Sequence, residues 1–379
     1  MALAPVDAFL DESHHDVREK VARFCAGHLK DHPDPESDAA ARERARDLVG
    51  AMGAAGLFEP IGRADVRGCL VSRELLAWWS PLADAVFALQ GLGATPGLIC
   101  ESDPGGWGGR ALAGEAMGGF AMTEWEAGSD VGSMATRAEL DGDAYVLSGG
   151  KTFISNAGIA DYYVVFAATA PEDGSRGLSA FVVPADTPGL VFKGALVMSA
   201  PHPLGELAFE ECRVPVDHLL AQEGEGFKVG MSTLDRLRPT VAAAACGMAG
   251  RALSEALAHA AGRTQFGKPL GSFQLIQDKL ASSATELSAA RLLTYRAGWL
   301  KDGGAERITV EAAMAKAFAT EAAQRIVDRS VQILGGRGVM ANHPVDHLYR
   351  SVRALRIYEG TSEIQQLIIG GQLMKAQAT

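Results

Sequence analysis

Apolar side chains recur at three- and four-residue steps in the first part of the chain, as at Val17, Val21 and Phe24. This spacing places them on one face of a helix. Residues 1–118 are therefore predicted to form an N-terminal helical domain. The region ends in a stretch rich in glycine and proline, which are typical of turns.

The pattern changes between residues 119 and 222 to short apolar or alternating runs, such as AYVLSG and DYYVVFAAT, separated by Gly, Asp and Pro. Runs of this length predict strands. Because no helical segments intervene, a small antiparallel barrel or sandwich is favoured over a parallel sheet.

Helical spacing returns in residues 223–379, where Leu234, Leu237 and Val241 form one apolar stripe. Small residues such as Ala243 let helices approach closely. A C-terminal domain resembling a four-helix bundle is predicted. The fold class is thus α+β and multidomain, with helices at both ends and a β domain between them.

Charge and composition exclude several classes of partner. The chain has 35 Lys and Arg against 46 Asp and Glu, a formal charge of -11, and no basic track. Binding to nucleic acid or to an anionic membrane is therefore not expected. No run of about 18 apolar residues predicts a membrane span.

Cysteine usage and the N-terminus indicate the compartment. The five cysteines are scattered and form no CxxC pair, so neither a disulfide framework nor a zinc site is predicted. The N-terminus is acidic, unlike a secretory peptide, and a cytoplasmic location is predicted. His343 and His347 have i, i+4 spacing, but Pro344 favours a helix end there, and no metal site is predicted.

Two segments of the β region carry polar groups suited to a planar ligand: FAMTEWEAGSD (120–130) and GGKTFISNAG (149–158). Thr123, Ser129 and Ser155 offer hydroxyls, and Phe153 can cover an aromatic ring. Glycines let main-chain donors approach without side-chain obstruction. The alternative is that these are turn residues between strands.

Two helical segments carry charged groups. Asp235 and Arg238 are three apart and share a helix face, which also suits an intrahelical ion pair. In GRTQFGKPLGSFQLIQDKLA (262–281), Arg263 can bind a pyrophosphate, Phe266 can pack on adenosine, and Gln274 can bond a nucleotide edge. A solvated basic turn is the alternative.

Two further motifs lie near the C-terminus. QILGGRGV (332–339) places two glycines after an apolar run, which permits close approach to diphosphate oxygens or simply stops a helix. IYEGTSEIQ (357–365) places Glu359 between apolar residues and Gly360. A glutamate is usually a solvated surface charge.

These motifs together resemble the acyl-CoA dehydrogenase family. The family has a TEPxAGSD-like turn, a K-x-W/F-I-T/S-N strand and an R-x-x-F-G-x-x-L-x-x-F-Q pattern, and its catalytic glutamate lies in a motif like IYEGTSE. The resemblance implies that Glu359 is the catalytic base. It also implies FAD contacts from Met122, Thr123, Ser129, Phe153, Ser155, Arg263, Phe266, Gln274, Gln332, Gly335, Gly336, Thr361 and Glu363. Substrate contacts are implied for Ser129, Asp235, Arg238 and Gly360.

The resemblance implies a reaction as well. Glu359 would take a proton from the carbon next to a thioester carbonyl, hydride would pass from the β carbon to flavin N5, and a trans-2-enoyl thioester would result. The family usually passes the electrons to an electron-transfer flavoprotein. The segment around Phe266 reaches FAD held by a neighbouring subunit in the family, which implies a homodimer or homotetramer.

Four residues depart from the family pattern: Trp125 replaces a proline, Val339 an aromatic residue, Ala200 an arginine and Ser351 an aspartate. The expected substrate is an acyl thioester of CoA or of a carrier protein. The changes at Ala200 and Ser351 suggest a specialised relative, one that acts on an acyl group tethered to a carrier protein. A flavin oxidase or monooxygenase on the same fold and a non-catalytic relative are the alternatives. The IYEGTSE motif argues against the oxidase or monooxygenase, and the nearly complete set of flavin motifs argues against the non-catalytic relative.

Overall fold

The computed structural model describes residues 4–377. The chain forms two compact units. The first, called the helical unit here, comprises Met1–Pro33, Asp65–Asp84 and Arg238–Thr379. The second, called the sheet unit, comprises Asp34–Ala64 and Ala85–Leu237.

Helices dominate both ends of the chain. In chain order they are α1 (Glu12–His28), α2 (Asp38–Ala54), α3 (Glu59–Gly62), α4 (Val66–Trp79), α5 (Pro81–Cys100), α6 (Trp107–Ala113), α7 (Gly226–Gly262), α8 (Gln274–Asp302), α9 (Thr309–Leu334), α10 (Pro344–Leu355) and α11 (Ser362–Gln377).

The strands lie mainly between α6 and α7. They are β1 (Gly118–Ala121), β2 (Arg137–Asp141), β3 (Ala144–Ser155), β4 (Tyr162–Ala168), β5 (Leu178–Pro184), β6 (Leu190–Ala195), β7 (Leu204–Pro215) and β8 (Leu219–Leu220), followed by the short hairpin β9 (Thr264–Gln265) and β10 (Lys268–Pro269).

Small residues on α7 set the packing of the helical unit. Its core is formed by buried alanines of α7 and α9 with apolar residues of α8 and α10. At Gly247, an added Cβ would lie 2.2 Å from the main-chain oxygen of Glu74. The axes of α4 and α7 therefore approach at a distance that only glycine permits.

The sheet has eight strands in the order β6-β7-β3-β2-β4-β5-β8, with β1 beside β4. Most neighbours are antiparallel, but β1 and β4 pair in parallel, as do β2 and β4 at Arg137 and Ala168. The connection between β1 and β4 contains the β2–β3 hairpin in place of a crossover helix. The antiparallel prediction therefore holds for most of the sheet and fails where β4 pairs with β1 and with β2.

Both faces of the central strand β4 are covered. Tyr162, Val164 and Phe166 enter one apolar cluster, and Tyr163 and Val165 enter another. Alternate side chains of a strand point to opposite faces, so the run YYVVFAA is continuously apolar because both faces are buried.

Arginine side chains of α2, among them Arg42, bond this helix to the sheet unit. Arg42 donates from its guanidinium to the carbonyl oxygens of Ala157 and Leu204, each at 2.6 Å. Its Nε donates to Asp38 of the same helix. These bonds hold the end of β3 and the start of β7 in the sheet unit.

The predicted order of helical region, β-sheet domain and helical region is confirmed. The boundaries at residues 118 and 222 stay predictions. Among residues 4–377, one helix, α5, is long and apolar enough to cross a membrane, a length that the pattern of apolar runs did not predict. However, 72% of its apolar window is buried, and a core helix meets the same criteria.

Candidate active site

Glu359 lies in the turn between α10 and α11, within the helical unit. It has φ 55°, and the next residue, Gly360, has φ 89°. A left-handed conformation is uncommon for a residue with a Cβ and persists only where the surroundings hold it. Gly360 also avoids a clash, because a Cβ there would lie 2.6 Å from Nε2 of Gln365.

Side chains from three helices hold the carbonyl groups of this turn. The Glu359 oxygen accepts from Nε of Arg238 on α7 and from Nε2 of Gln365 on α11, both at 3.4 Å. The Gly360 oxygen accepts from Nζ of Lys316 on α9 at 2.5 Å and from Gln365 at 2.9 Å. The turn is therefore fixed by α7, α9 and α11 together.

The carboxyl group of Glu359 is partly shielded from solvent. Its Oε2 atom is buried and has no hydrogen-bond partner among the described residues. Burial raises the pKa of Glu359, while the charges of Arg73, Lys316 and Arg238 oppose that rise. A carboxylate held in this way is a stronger base than a solvated one.

A buried ion pair lies beside Glu359. The guanidinium of Arg73 donates to both carboxylate oxygens of Asp84, at 2.7 and 2.9 Å, and to the hydroxyl of Thr240 at 2.8 Å. Burial lowers the pKa of the Arg73 guanidinium. The charge of Asp84 and its hydrogen bonds more than offset this effect, so the pKa is raised. Arg73 therefore remains a cation and acts on the pKa of Glu359.

A second buried pair shapes the turn that carries Thr123 in the sheet unit. The Glu124 carboxylate accepts from Nζ of Lys151 at 2.7 Å and from the N–H groups of Ala135 and Thr136 at 2.6 and 3.0 Å. The same Lys151 nitrogen donates to the Met122 carbonyl at 3.1 Å. Strand β3 and the FAMTEWEAGSD turn are therefore joined at their centre.

The predicted flavin contacts on β3 lie near that turn. Phe153 has φ 54°, is 50% exposed, and packs edge to face on Trp125 with ring centroids 4.9 Å apart. The Ser155 hydroxyl is hydrogen-bonded to Nε2 of His202 at 2.8 Å. Burial and the charge of Arg42 lower the pKa of His202 to about 4, so its ring is neutral at pH 7.

Positive charge gathers in the helical unit around the glycine turn after α9. Burial and the charges of Arg337, Arg263 and His343 lower the pKa of His259. Gly335 has φ 60°, and a Cβ at Gly335 or Gly336 would meet no atom within 4 Å. This open, positively charged surface suits a phosphate group.

The remaining predicted contacts are distributed over both units. Phe266, in the β9–β10 turn, is 94% exposed with φ 51°. Thr361 begins α11 by accepting from the N–H of Ile364 at 3.3 Å. The other polar positions are exposed: Ser129 in the sheet unit, and Gln274, Gln332 and Glu363 in the helical unit. Asp235 lies on the part of α7 in the sheet unit.

Sequence reasoning did not identify Arg73, Asp84 and Lys316 around the Glu359 turn of the helical unit. Nor did it identify Glu124, Lys151 and His202 near the predicted flavin contacts of the sheet unit. A signal existed for Lys316, which is a lone cation in the apolar helical run AAMAKAFAT. His343 begins α10 as its N-cap, where its Nδ1 accepts from the N–H of Val345. The helix therefore starts at this histidine and does not end there.

Two family descriptions match the chain. "Acyl-CoA dehydrogenase, middle domain" matches residues 119–212, and "Acyl-CoA dehydrogenase, C-terminal domain" matches residues 224–374. The two matches cover the predicted flavin turn and the turn of Glu359.

Individual proteins are also similar. The mitochondrial short-chain specific acyl-CoA dehydrogenase of Bos taurus is 46% identical over 70% of this chain, and the match spans 64% of that protein, less than two thirds. The probable acyl-CoA dehydrogenase FadE25 of Mycobacterium tuberculosis is 35% identical over 97% of this chain and 96% of its own length. A glutaryl-CoA dehydrogenase from Mycobacterium smegmatis, solved in complex with FADH2, has a TM-score of 0.85 at 28% identity and covers 99% of each chain.

The ion pair beside Glu359 generates a stability prediction. Replacement of Asp84 by Ala leaves Arg73 buried without its carboxylate and should lower the free energy of unfolding by about 3–5 kcal/mol. The double replacement Arg73→Met with Asp84→Leu leaves no buried charge of this pair, and should cost much less. Urea unfolding followed by circular dichroism compares them, and equal stability of the single and double variants would contradict the prediction.

Proposed function

This chain belongs to the acyl-CoA dehydrogenase family, and we propose that it is an FAD-dependent oxidoreductase that forms an α,β double bond in an acyl thioester. The single observation that carries the proposal is the Glu359 carboxyl group, which lies next to buried cations and has a buried, unpartnered Oε2 atom. A proton acceptor is the role that fits such an atom best.

The proton step depends on matching two acidities. The hydrogen on the carbon next to a thioester carbonyl is a very weak acid, and a carboxylate is ordinarily a weak base. Burial raises the pKa of Glu359 and brings the two closer. The left-handed turn directs the carboxylate, because its carbonyl groups are held by Arg238, Lys316 and Gln365.

The thioester carbonyl needs a hydrogen-bond donor while negative charge develops on its oxygen. Within residues 4–377, no hydrogen bond takes the main-chain N–H of Glu359. This N–H can therefore donate to the substrate. One residue then supplies both the base and a donor for the carbonyl oxygen.

FAD is the cofactor that fits the remaining residues. The FADH2 complex of the relative from Mycobacterium smegmatis supports this assignment. Phe153 and Ser155 would lie along the flavin ring, and Arg263 with the open turn at Gly335 and Gly336 would hold a pyrophosphate. When bound, FAD supplies the acceptor for the hydride that leaves the β carbon.

Assembly and electron transfer are parts of the same proposal. The exposed Phe266 suits contact with FAD of a neighbouring subunit, which supports a homodimer or homotetramer. An electron-transfer flavoprotein is proposed as the acceptor of the electrons. An oxidase or monooxygenase is less favoured, since the chain retains the catalytic glutamate at position 359.

Glu359→Gln tests the proposed base. The variant should retain FAD, but anaerobic flavin bleaching by an acyl thioester should slow by about 10²- to 10⁴-fold, since the amide cannot accept the proton. In the unmodified protein the rate should rise with pH through a value above the ordinary glutamate pKa. Stopped-flow absorbance measures the rate, and mass analysis should find a product lighter by two hydrogens.

The matched control is Glu211→Gln. Glu211 also has a left-handed φ, 51°, but its side chain is exposed in the sheet unit. Its bleaching rate should equal that of the unmodified protein. Bleaching at the unmodified rate in Glu359→Gln would refute the assignment of the base.

The identity of the thioester carrier generates a separate prediction. Ala200 and Ser351 depart from the family pattern, which motivates a substrate tethered to a carrier protein. If so, the same acyl chain should be turned over with a higher kcat/KM on carrier protein than on CoA. Measured preference for CoA would reject the carrier and leave the proposed desaturation intact.

A further inference from the structure

Lys316 is a fully buried cation on α9. Its relative exposure is 0%, and its neighbours along the helix are alanines and other apolar residues. Burying an ammonium group is costly unless charges and hydrogen bonds compensate it. A lysine in this position therefore has a specific task in the helical unit.

The amino group is directed at the turn of Glu359. Nζ of Lys316 donates to the main-chain oxygen of Gly360 at 2.5 Å. Gly360 follows the left-handed Glu359, and both residues have positive φ. A donor at this carbonyl fixes the orientation of the Gly360–Thr361 peptide, one residue beyond the base.

Charged side chains of several helices act on the two groups. Arg73 on α4, Asp84 on α5, Arg238 on α7 and Lys316 on α9 act on Glu359. Lys316 itself is influenced by Glu359, Arg238, Glu321 and Glu363. Glu321 is in turn bonded to Arg356 and Ser362.

Lys316 contributes charge as well as a hydrogen bond. Burial lowers the pKa of Lys316 to about 8, and Glu359 opposes that shift. The amino group is therefore mostly protonated at pH 7. Its positive charge favours the ionised form of Glu359 at the pH where the base must be ionised.

We propose that Lys316 is a positioning residue for the catalytic base: its hydrogen bond to Gly360 holds the left-handed turn, and its charge keeps Glu359 ionised. The inference rests on the proposed function. It assigns a role in the proton step to Lys316 of α9, a residue that lies outside the motif around Glu359.

Lys316→Met removes both contributions. Glu359 should then ionise at higher pH, so the rise of the anaerobic bleaching rate with pH should move upward by about one pH unit. The limiting rate at high pH should also fall by about tenfold, because the turn is less firmly held. Lys316→Gln retains a donor without the charge, so it should show the pH shift with a smaller loss of limiting rate.

Lys301→Met is the matched control. Lys301 also donates to main-chain carbonyls, those of Ala305 and Glu306 at 3.1 and 3.0 Å, but it does so at the end of α8. Its pH profile should overlie that of the unmodified protein. A lysine with a purely structural role would lower the melting temperature on replacement and leave the pH profile unmoved.

The outcomes separate the inference from the proposed function. An unshifted profile in Lys316→Met, with FAD retained and Glu359→Gln inactive, would overturn the role of Lys316 alone. If Lys316→Met fails to fold, the profile of Lys316→Gln decides in the same way. Absence of bleaching in the unmodified protein across a panel of acyl thioesters would instead refute the proposed function.

Discussion

The left-handed conformation of Glu359 is the constraint on which the site depends. A residue with a Cβ does not hold this conformation unaided, and here Arg238, Lys316 and Gln365 hold the carbonyl groups of Glu359 and Gly360. These donors come from α7, α9 and α11, so the packing of the helical unit determines where the carboxylate points. The close approach of α4 and α7 at Gly247 belongs to the same packing, since Arg73 on α4 acts on Glu359.

Several buried charged side chains of the described residues are paired with a side chain of opposite charge. Arg73 is paired with Asp84, Glu124 with Lys151, and Arg291 with Glu74. Such pairs add little net stability, but they fix geometry because each partner is costly to leave unpaired. In the sheet unit the pair joins β3 to the turn of Thr123. In the helical unit, the Arg73–Asp84 pair acts electrostatically on Glu359 and so influences the pKa of this glutamate.

The predicted order of regions is confirmed, because apolar spacing is a local pattern of the chain. The assignment of Glu359 as the base also came from a local pattern, the IYEGTSE motif, and stays a proposal. The sequence did not identify Lys316 or Asp84, because these residues are brought near the Glu359 turn only by the packing of helices that are distant in sequence. The parallel pairing of β1 with β4 was not predicted, because the spacing of apolar residues identifies each strand but not the strand with which it pairs. The run YYVVFAA showed a strand but not that both of its faces are buried.

Exchange of substrate hydrogens with solvent tests the central claim most directly, because it isolates the proton step from electron transfer. The ligand is an acyl thioester with sulfur in place of its β carbon, which cannot give up a hydride, incubated with the FAD-loaded protein in D₂O. Mass analysis should find deuterium on the carbon next to the carbonyl with the unmodified protein, and none above background with Glu359→Gln. Equal exchange by the two proteins would contradict the account.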